Sequence, residues 1–324
     1  MRAPFDIMFL LLPNFSMIAL YSALEPLRVA NRFAGELFAW RFASVDGNAV
    51  TASNGIPVSV SAALPTTGRP NLVMVCSSYD HQHAISPDLR SALRRLDAAG
   101  VWLGGLDTGS IVLAEAGVLD GRRATCHWET LSAMREDYPR VSVTDGLFEI
   151  DGPRLTASGG TAPLDMMLAW IGSLHGRDLA TRVADTLVHA RHGEAPGGTR
   201  IPARSRYGVD DDALLAAISA MENHLEDILR LEDVADAAGV SPRQLERRFQ
   251  CLLGMPPMRF YLSLRLERAE HLLMYSRLSV RNAGLASGFS SLAQFSRAYR
   301  TRYGLSPSQH RRKIAAGSGV QSDM

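Results

Sequence analysis

The chain has 324 residues, 46% of them hydrophobic, and its 34 basic and 33 acidic side chains leave a formal net charge of +1. That length suggests two domains, each large enough to bury its own core. The longest unbroken apolar run, Ile7 to Leu12, is too short to span a bilayer, and the Pro-Asn that follows argues against a signal peptide. Cys76, Cys126 and Cys251 are too few and too widely spaced for a disulfide framework or a metal-ligand pair, and they fit a reducing cytoplasm.

From Phe5 to about Arg191, strand-like runs alternate with helical patterns. FDIMFLLL, FAWRFASV, NLVMVCS and VWLGGL read as strands, and SMIALYSALEPLRVANRF, SPDLRSALRRLDAAG and GSIVLAEAG as helices. This βαβ rhythm predicts an α/β domain with a mostly parallel sheet. Ligands of such sheets sit at the carboxyl ends of strands near a switch in strand order, so the turns after Leu12, Cys76 and Leu106 are the places for a site. Asp107-Thr108-Gly109 predicts a sharp strand-to-helix turn that presents Asp107 outward over a helix N-terminus. Cys126 and His127 are adjacent in ATCHWE, which invites a nucleophile reading, but adjacent strand residues point to opposite faces. Cys76, ending an apolar strand, reads as core. DMMLAWIGSLHGRDLATRVADTLVHARHG predicts two helices that close the domain and offer apolar surface for a dimer contact. HGEAPGGTRIPARSRYG, rich in Gly, Pro and Arg, reads as a linker.

An amphipathic helix over 210–229 opens the second domain. Beyond it, one pattern is written twice between Leu231 and Arg312, as LEDVADAAGVSPRQLERRFQCLLGMPP and SVRNAGLASGFSSLAQFSRAYRTRYGLSP, joined by the helix-like RFYLSLRLERAEHLLMYS. Each copy has a short helix, a glycine (Gly239 or Gly288) where the chain must turn, a serine cap, and a second helix, which is a helix-turn-helix in sequence. Leu245 with Phe249, and Phe295 with Tyr299, give each second helix one apolar stripe. The opposite faces carry Arg243, Arg247 and Arg248 in one copy and Gln294, Arg297 and Arg300 in the other. Ser241 to Ile314 holds fourteen basic residues against three acidic ones, so this segment is +11 and the remainder about −10. Such asymmetry is the footprint of a nucleic-acid-binding module attached to something else.

The doubled motif, above all GFSSLAQFSRAYRTRYGLSP, resembles the AraC-type transcription factors over roughly 210–312. Gly284 and Ala283 depart from that family's pattern, and the smaller side chains predict looser packing in the second copy. The EPLRVANR, AEAGVLDGRRATCHWE and LTASGGTAPLDMMLAWI segments resemble the flavodoxin-like, class I glutamine amidotransferase-like fold of the intracellular protease superfamily. The whole chain is thereby similar to GlxA-type regulators, in which that fold precedes an all-α AraC-type domain with two helix-turn-helices. The implied layout is a ligand-sensing and dimerisation domain at 1–193, a linker at 194–208, a DNA-binding domain at 209–314 and a tail at 315–324.

Several expectations follow from the resemblance. Catalytic relatives carry a cysteine at the elbow that Asp107 occupies here, so no catalytic residue, metal or cofactor is expected. Glu25 matches the acid that supports that cysteine. With Asp107 it would give the retired pocket two carboxylates, unless Glu25 pairs instead with Arg28. The implied ligand-binding set is Glu25, Asp107, Thr108, His127, Trp128, Trp40, Tyr79 and Phe15, with Tyr21 and Phe33 as further aromatics near strand ends. Carboxylates beside aromatic rings suit a betaine-, carnitine- or arginine-like cation, although these aromatics read equally well as ordinary core. The implied DNA contacts are Arg243, Gln244, Glu246, Arg247, Ser291, Gln294, Arg297 and Arg300, with the first copy as the main sequence reader and the second as backbone grip. The expected protein is a cytoplasmic homodimer that activates a catabolic operon and whose partners are a double-stranded operator, RNA polymerase and a small-molecule effector. The competing readings are an amidase or hydratase with a DNA-binding appendage, and a DNA-binding dimer without small-molecule control.

Overall fold

The computed structural model describes residues 3–64, 69–79, 81–189 and 203–317. The chain divides into two compact units, Met1–Thr199 and Arg200–Met324. Residues 194–202 of the expected linker and 318–324 of the expected tail lie outside the described residues.

The first unit begins with Phe5–Leu11 (β1), Met17–Ala34 (α1) and Phe38–Ser44 (β2), followed by the short Val50–Thr51 (β3), Pro57–Val58 (β4) and Ala62–Ala63 (β5). Then come Leu72–Cys76 (β6), His81–Ala84 (α2), Pro87–Ala98 (α3), Trp102–Leu106 (β7) and Gly109–Glu115 (α4). Arg123–Ala124 (β8), Leu131–Asp137 (α5), Ser142–Val143 (β9), Phe148–Asp151 (β10), Arg154–Ala157 (β11), Ala162–His175 (α6) and Arg177–Thr186 (α7) complete it. The main sheet has the order β10-β11-β7-β6-β1-β2-β5. Every pairing in it is parallel except β10 with β11. From β1 the chain builds outward through β2 to β5, then crosses back to β6, which puts the switch point between β1 and β6.

β1 is apolar throughout because it is covered on both faces. Ile7, Phe9 and Leu11 join one core with α1, α6 and α7, while Met8 and Leu10 join a second core with α3, α4 and α5. Each fully buried Leu, Ile or Phe in these layers contributes about 1.5–3 kcal/mol. The two helices expected to close the domain are α6 and α7. Met166, Met167, Leu168, Trp170, Ile171, Leu179, Ala180 and Val183 are buried in the first core, while Leu174 on α6 stays exposed. The register aligns Leu11 with Cys76, Cys76 with Leu106 and Leu106 with Ala157, which brings four strand ends into one row.

The second unit contains Ala203–Tyr207 (α8), Asp212–Asn223 (α9), Leu231–Ala237 (α10), Pro242–Leu253 (α11), Pro257–Tyr275 (α12), Val280–Ala286 (α13), Leu292–Tyr303 (α14) and Pro307–Gly317 (α15). Residues expected to be linker thus form α8, where the Tyr207 ring meets Phe260 edge-on at 5.3 Å. The helix expected over 210–229 is shorter. Asp211 caps its start by accepting from the Leu214 N–H at 2.8 Å, and it ends at Asn223. α12 serves two cores at once: Phe260, Tyr261 and Leu264 pack with α9, α10 and α11, and Leu266, Ala269, Leu272 and Leu273 pack with α13 and α14. Gly284 overturns the expectation of loose packing in the second copy. A Cβ there would lie 2.8 Å from the Phe295 ring, so the ring already fills the space an alanine would need.

Candidate nucleic-acid interface and elbow site

Each second helix of the repeated motif starts from a built turn. Gly239 and Gly288 hold φ of 67° and 76°, the left-handed region that a residue without Cβ adopts at least cost. In α11 the Ser241 hydroxyl accepts from the Gln244 N–H at 3.3 Å, and the Gln244 side-chain oxygen accepts from the Ser241 N–H at 2.9 Å. This reciprocal cap, with Pro242 at the first helical position, fixes the helix start. Leu245 and Phe249 are fully buried, which turns Arg243, Glu246 and Arg247 to solvent. In α14 Ser291 accepts from the Gln294 N–H at 3.4 Å, Phe295 and Tyr299 are buried, and Gln294, Arg297 and Arg300 are exposed.

The elbow lies at the end of β7. Asp107 has φ of 60°, unusual for a residue with a side chain, and the next residue, Thr108, opens α4. Glycines permit the tight approach: a Cβ at Gly109 would lie 2.2 Å from the Val75 carbonyl oxygen, and one at Gly105 would lie 2.5 Å from the Ser110 nitrogen. The Thr108 hydroxyl donates to the Ser78 carbonyl at 2.6 Å. Asp107 itself is buried, and a Cβ on Gly159, at the end of β11, would stand 2.9 Å from its carboxyl carbon. Burial pushes its carboxyl up to about 7. Hydrogen bonds from the Ser78 side chain and the Thr108 N–H oppose that rise, and the nearby Glu129 charge adds to it.

Cys126 is fully buried, and its sulfur accepts from the Thr130 hydroxyl at 3.3 Å. Burial raises its thiol to about 12, which disfavours the thiolate a nucleophile needs. His127 stands 3.6 Å from Glu129. Burial lowers its pKa, and the Glu129 charge pulls the other way. Among the described residues no group of three or more His, Cys, Asp or Glu side chains could hold a metal ion.

Comparison with known proteins accounts for both halves. Residues 7–172 match the DJ-1/PfpI family, and residues 234–313 match a helix-turn-helix domain. The chain is 48% identical over 306 residues to the HTH-type transcriptional regulator CdhR of Pseudomonas aeruginosa, covering 94% of this chain and 91% of that one. It belongs to the GlxA-type HTH transcriptional regulators. The HTH-type transcriptional regulator GlxA of Rhizobium meliloti is 38% identical over 94% of this chain and 95% of its own length. The crystal structure of an AraC family transcriptional regulator from Pseudomonas putida is 28% identical, with a TM-score of 0.52. That match covers 57% of this chain and 100% of the solved one.

In this regulator the residues expected to contact DNA divide into two groups. Arg243, Glu246, Arg247, Gln294, Arg297 and Arg300 are exposed on the two second helices, whereas Gln244 and Ser291 are engaged in helix caps. Arg248, expected on the free face of α11, turns inward to an ion pair with Asp211. The expected ligand set divides as well. Asp107, Thr108 and His127 gather around the elbow with Cys126, Ser78 and Glu129. Trp128 is half-buried against the second core, its ring 5.7 Å from that of His127. Phe15 is wholly buried in the first core, and a backbone bridge joins it to Ser78 across the switch point.

Three members depart from expectation. Glu25 pairs with Arg28 at 2.6 Å, the alternative its own segment offered. Trp40 pairs with Ile7 and Ile7 with Leu72, which places it toward the amino ends of the strands and away from the elbow. Tyr79 is 58% exposed. Of the two further aromatics, Tyr21 is exposed on α1, and Phe33 lies under the Arg182 guanidinium at 4.2 Å. The Asp107 side chain is buried instead of facing outward, and near neutral pH it is only partly charged. Ser78, Glu129 and Gly159 were missed because they come from separate turns of the sequence. The strand register that would join them is not written in any one motif.

Proposed function

We propose that this DNA-binding regulator reads a two-part operator through α11 and α14. In this reading it is a cytoplasmic homodimer that activates a catabolic operon when a small effector binds near Asp107. Residues 1–193 would sense and dimerise, and residues 209–314 would bind DNA and meet RNA polymerase. The observation that carries the reading is the pair of recognition helices, each anchored by a buried apolar stripe and each presenting exposed arginines. Arg243, Arg247 and Arg297 are suited to guanine O6 and N7, Gln294 to adenine and Glu246 to cytosine N4.

Asp107 in place of an elbow cysteine, and the buried thiol of Cys126, favour a sensing pocket over a catalytic one. The effector proposed is a small organic cation, because the Asp107 and Glu129 carboxyls lie within electrostatic reach of each other and the Trp128 ring stands 5.7 Å from His127, which itself lies 3.6 Å from Glu129. A thermal-shift panel of betaines, carnitine, choline, arginine and other amino acids tests this, since a ligand of the native state raises the melting temperature by mass action. A shift that disappears in Asp107→Ala is expected. No shift across the panel would sink the sensor reading while leaving DNA binding intact.

A further inference from the structure

Four features in the second unit converge on one joint. Arg265 is buried in α12, and it donates to the Ser287 carbonyl at 2.9 Å and to the Gly288 carbonyl at 2.7 Å. Its guanidinium also lies 4.2 Å over the Phe289 ring. All three partners lie in or beside the turn between α13 and α14. One helical turn earlier, the Tyr261 hydroxyl donates to the His224 carbonyl and accepts from the Leu229 N–H at 3.4 Å. Those residues bound the loop between α9 and α10, which leads into the first helix-turn-helix and belongs to its module. The two loops also touch directly: a Cβ on Gly288 would lie 2.6 Å from the Leu225 carbonyl oxygen, 2.9 Å from that of Glu226 and 2.9 Å from the Ile228 side chain. Arg268, again on α12, reaches Glu226 at 3.9 Å.

A linking helix alone would leave the modules free to roll about its ends. Here the loop of one module and the turn of the other are pressed backbone to backbone and tied to the same stretch of helix. A buried guanidinium with two carbonyl acceptors is costly to displace, since either carbonyl would be left without its donor in a buried setting. Gly288 lacks the Cβ that would collide with the facing loop, which lets the two backbones approach this closely.

We propose that Arg265 and Tyr261 are positioning residues that lock the two recognition helices at one separation, so that the regulator measures the spacing between its two DNA elements as well as their sequence. The inference rests on the reading that α11 and α14 both engage DNA. A duplex recovered by selection with the full-length protein is footprinted, and its affinity is measured with the native spacing and with one base pair inserted between the elements. Insertion moves one element by about 3.4 Å along the axis and turns it around the helix.

The wild type is expected to lose about tenfold or more on insertion. Arg265→Ala is expected to bind the native duplex more weakly, yet to lose less than about threefold on insertion. Tyr261→Phe keeps the buried ring while removing its hydrogen bond to His224, so it carries the test if Arg265→Ala does not fold. It is expected to shrink the insertion penalty in the same direction. A wild-type footprint confined to one element would overturn the two-helix reading and this inference with it. A two-element footprint, with an unchanged insertion penalty in variants that melt like the wild type, would overturn the inference alone.

Discussion

Arg248 reaches from the recognition helix α11 to Asp211, the residue that caps α9, while its neighbour Arg247 stays exposed. Two adjacent arginines therefore do different work. Arg247→Ala should cost about 1–3 kcal/mol in operator affinity and relax preference at one base position. Arg248→Ala should leave base preference alone and lower stability by about 1 kcal/mol, the range for a partly exposed pair. Competition binding against single-base operator variants at fixed salt, alongside thermal melts, separates the two. Equal loss of specificity from both would refute the division.

Arg300 is exposed on α14, the helix of the copy proposed to grip the DNA backbone. Its replacement by alanine should weaken binding by a similar factor on every duplex and reduce the slope of log affinity against log salt by about 1. Titrations at several salt concentrations measure that slope. An unchanged slope would remove Arg300 from the phosphate contacts.

Gly284→Ala sets two effects against each other. Alanine inside a helix gains about 1 kcal/mol over glycine. The new methyl would meet the Phe295 ring at 2.8 Å, and that ring is held by Phe289 at 5.0 Å and Tyr299 at 5.5 Å. Overpacking of this kind costs about 1–3 kcal/mol. The clash is expected to win because the methyl meets Cδ1 and Cγ, at the root of the ring, where a turn of the side chain relieves little. Urea denaturation should therefore show a net loss of stability, and a gain would mean that the second module is loosely packed after all.

Asp107 gives a pH signature. Its carboxyl is raised from 3.8 to about 7, so the native state holds a proton that the unfolded chain releases. Stability from this group is fully present below about 4 and is lost as pH rises toward 7, by about 4 kcal/mol in total. Asp107→Asn does not titrate. The difference in unfolding free energy between wild type and variant should therefore shift in the variant's favour across that window and be flat above it. Parallel curves from pH 4 to 8 would show that Asp107 is not held protonated.

The sequence revealed most where spacing alone determines structure. The four long strands and the helices between them follow from apolar periodicity, and both helix-turn-helices follow from glycine, serine and stripe positions. The antiparallel edge formed by β10 and β11 was not anticipated, because Phe148–Asp151 and Arg154–Ala157 are too short to show a clear alternation. Trp40 looked like a wall of the site because aromatic character says nothing about which end of a strand a residue occupies. Arg248 looked available because nothing in its own segment decides a partner, and only the fold brings Asp211 to it; for Glu25 the segment itself offered Arg28, three residues on, and the pair forms. The elbow was legible from Asp107-Thr108-Gly109, but the lid that Gly159 places on it was not.

Because α12 supplies residues to both cores of the second unit, each module completes its interior with side chains from the same helix. The two reading heads are therefore expected to unfold in one transition, seen as coincident melting curves from probes placed in either core. A regulator built this way is expected to lose both heads together when either core opens. Its tolerance of destabilising substitutions is set by the weaker of its two cores.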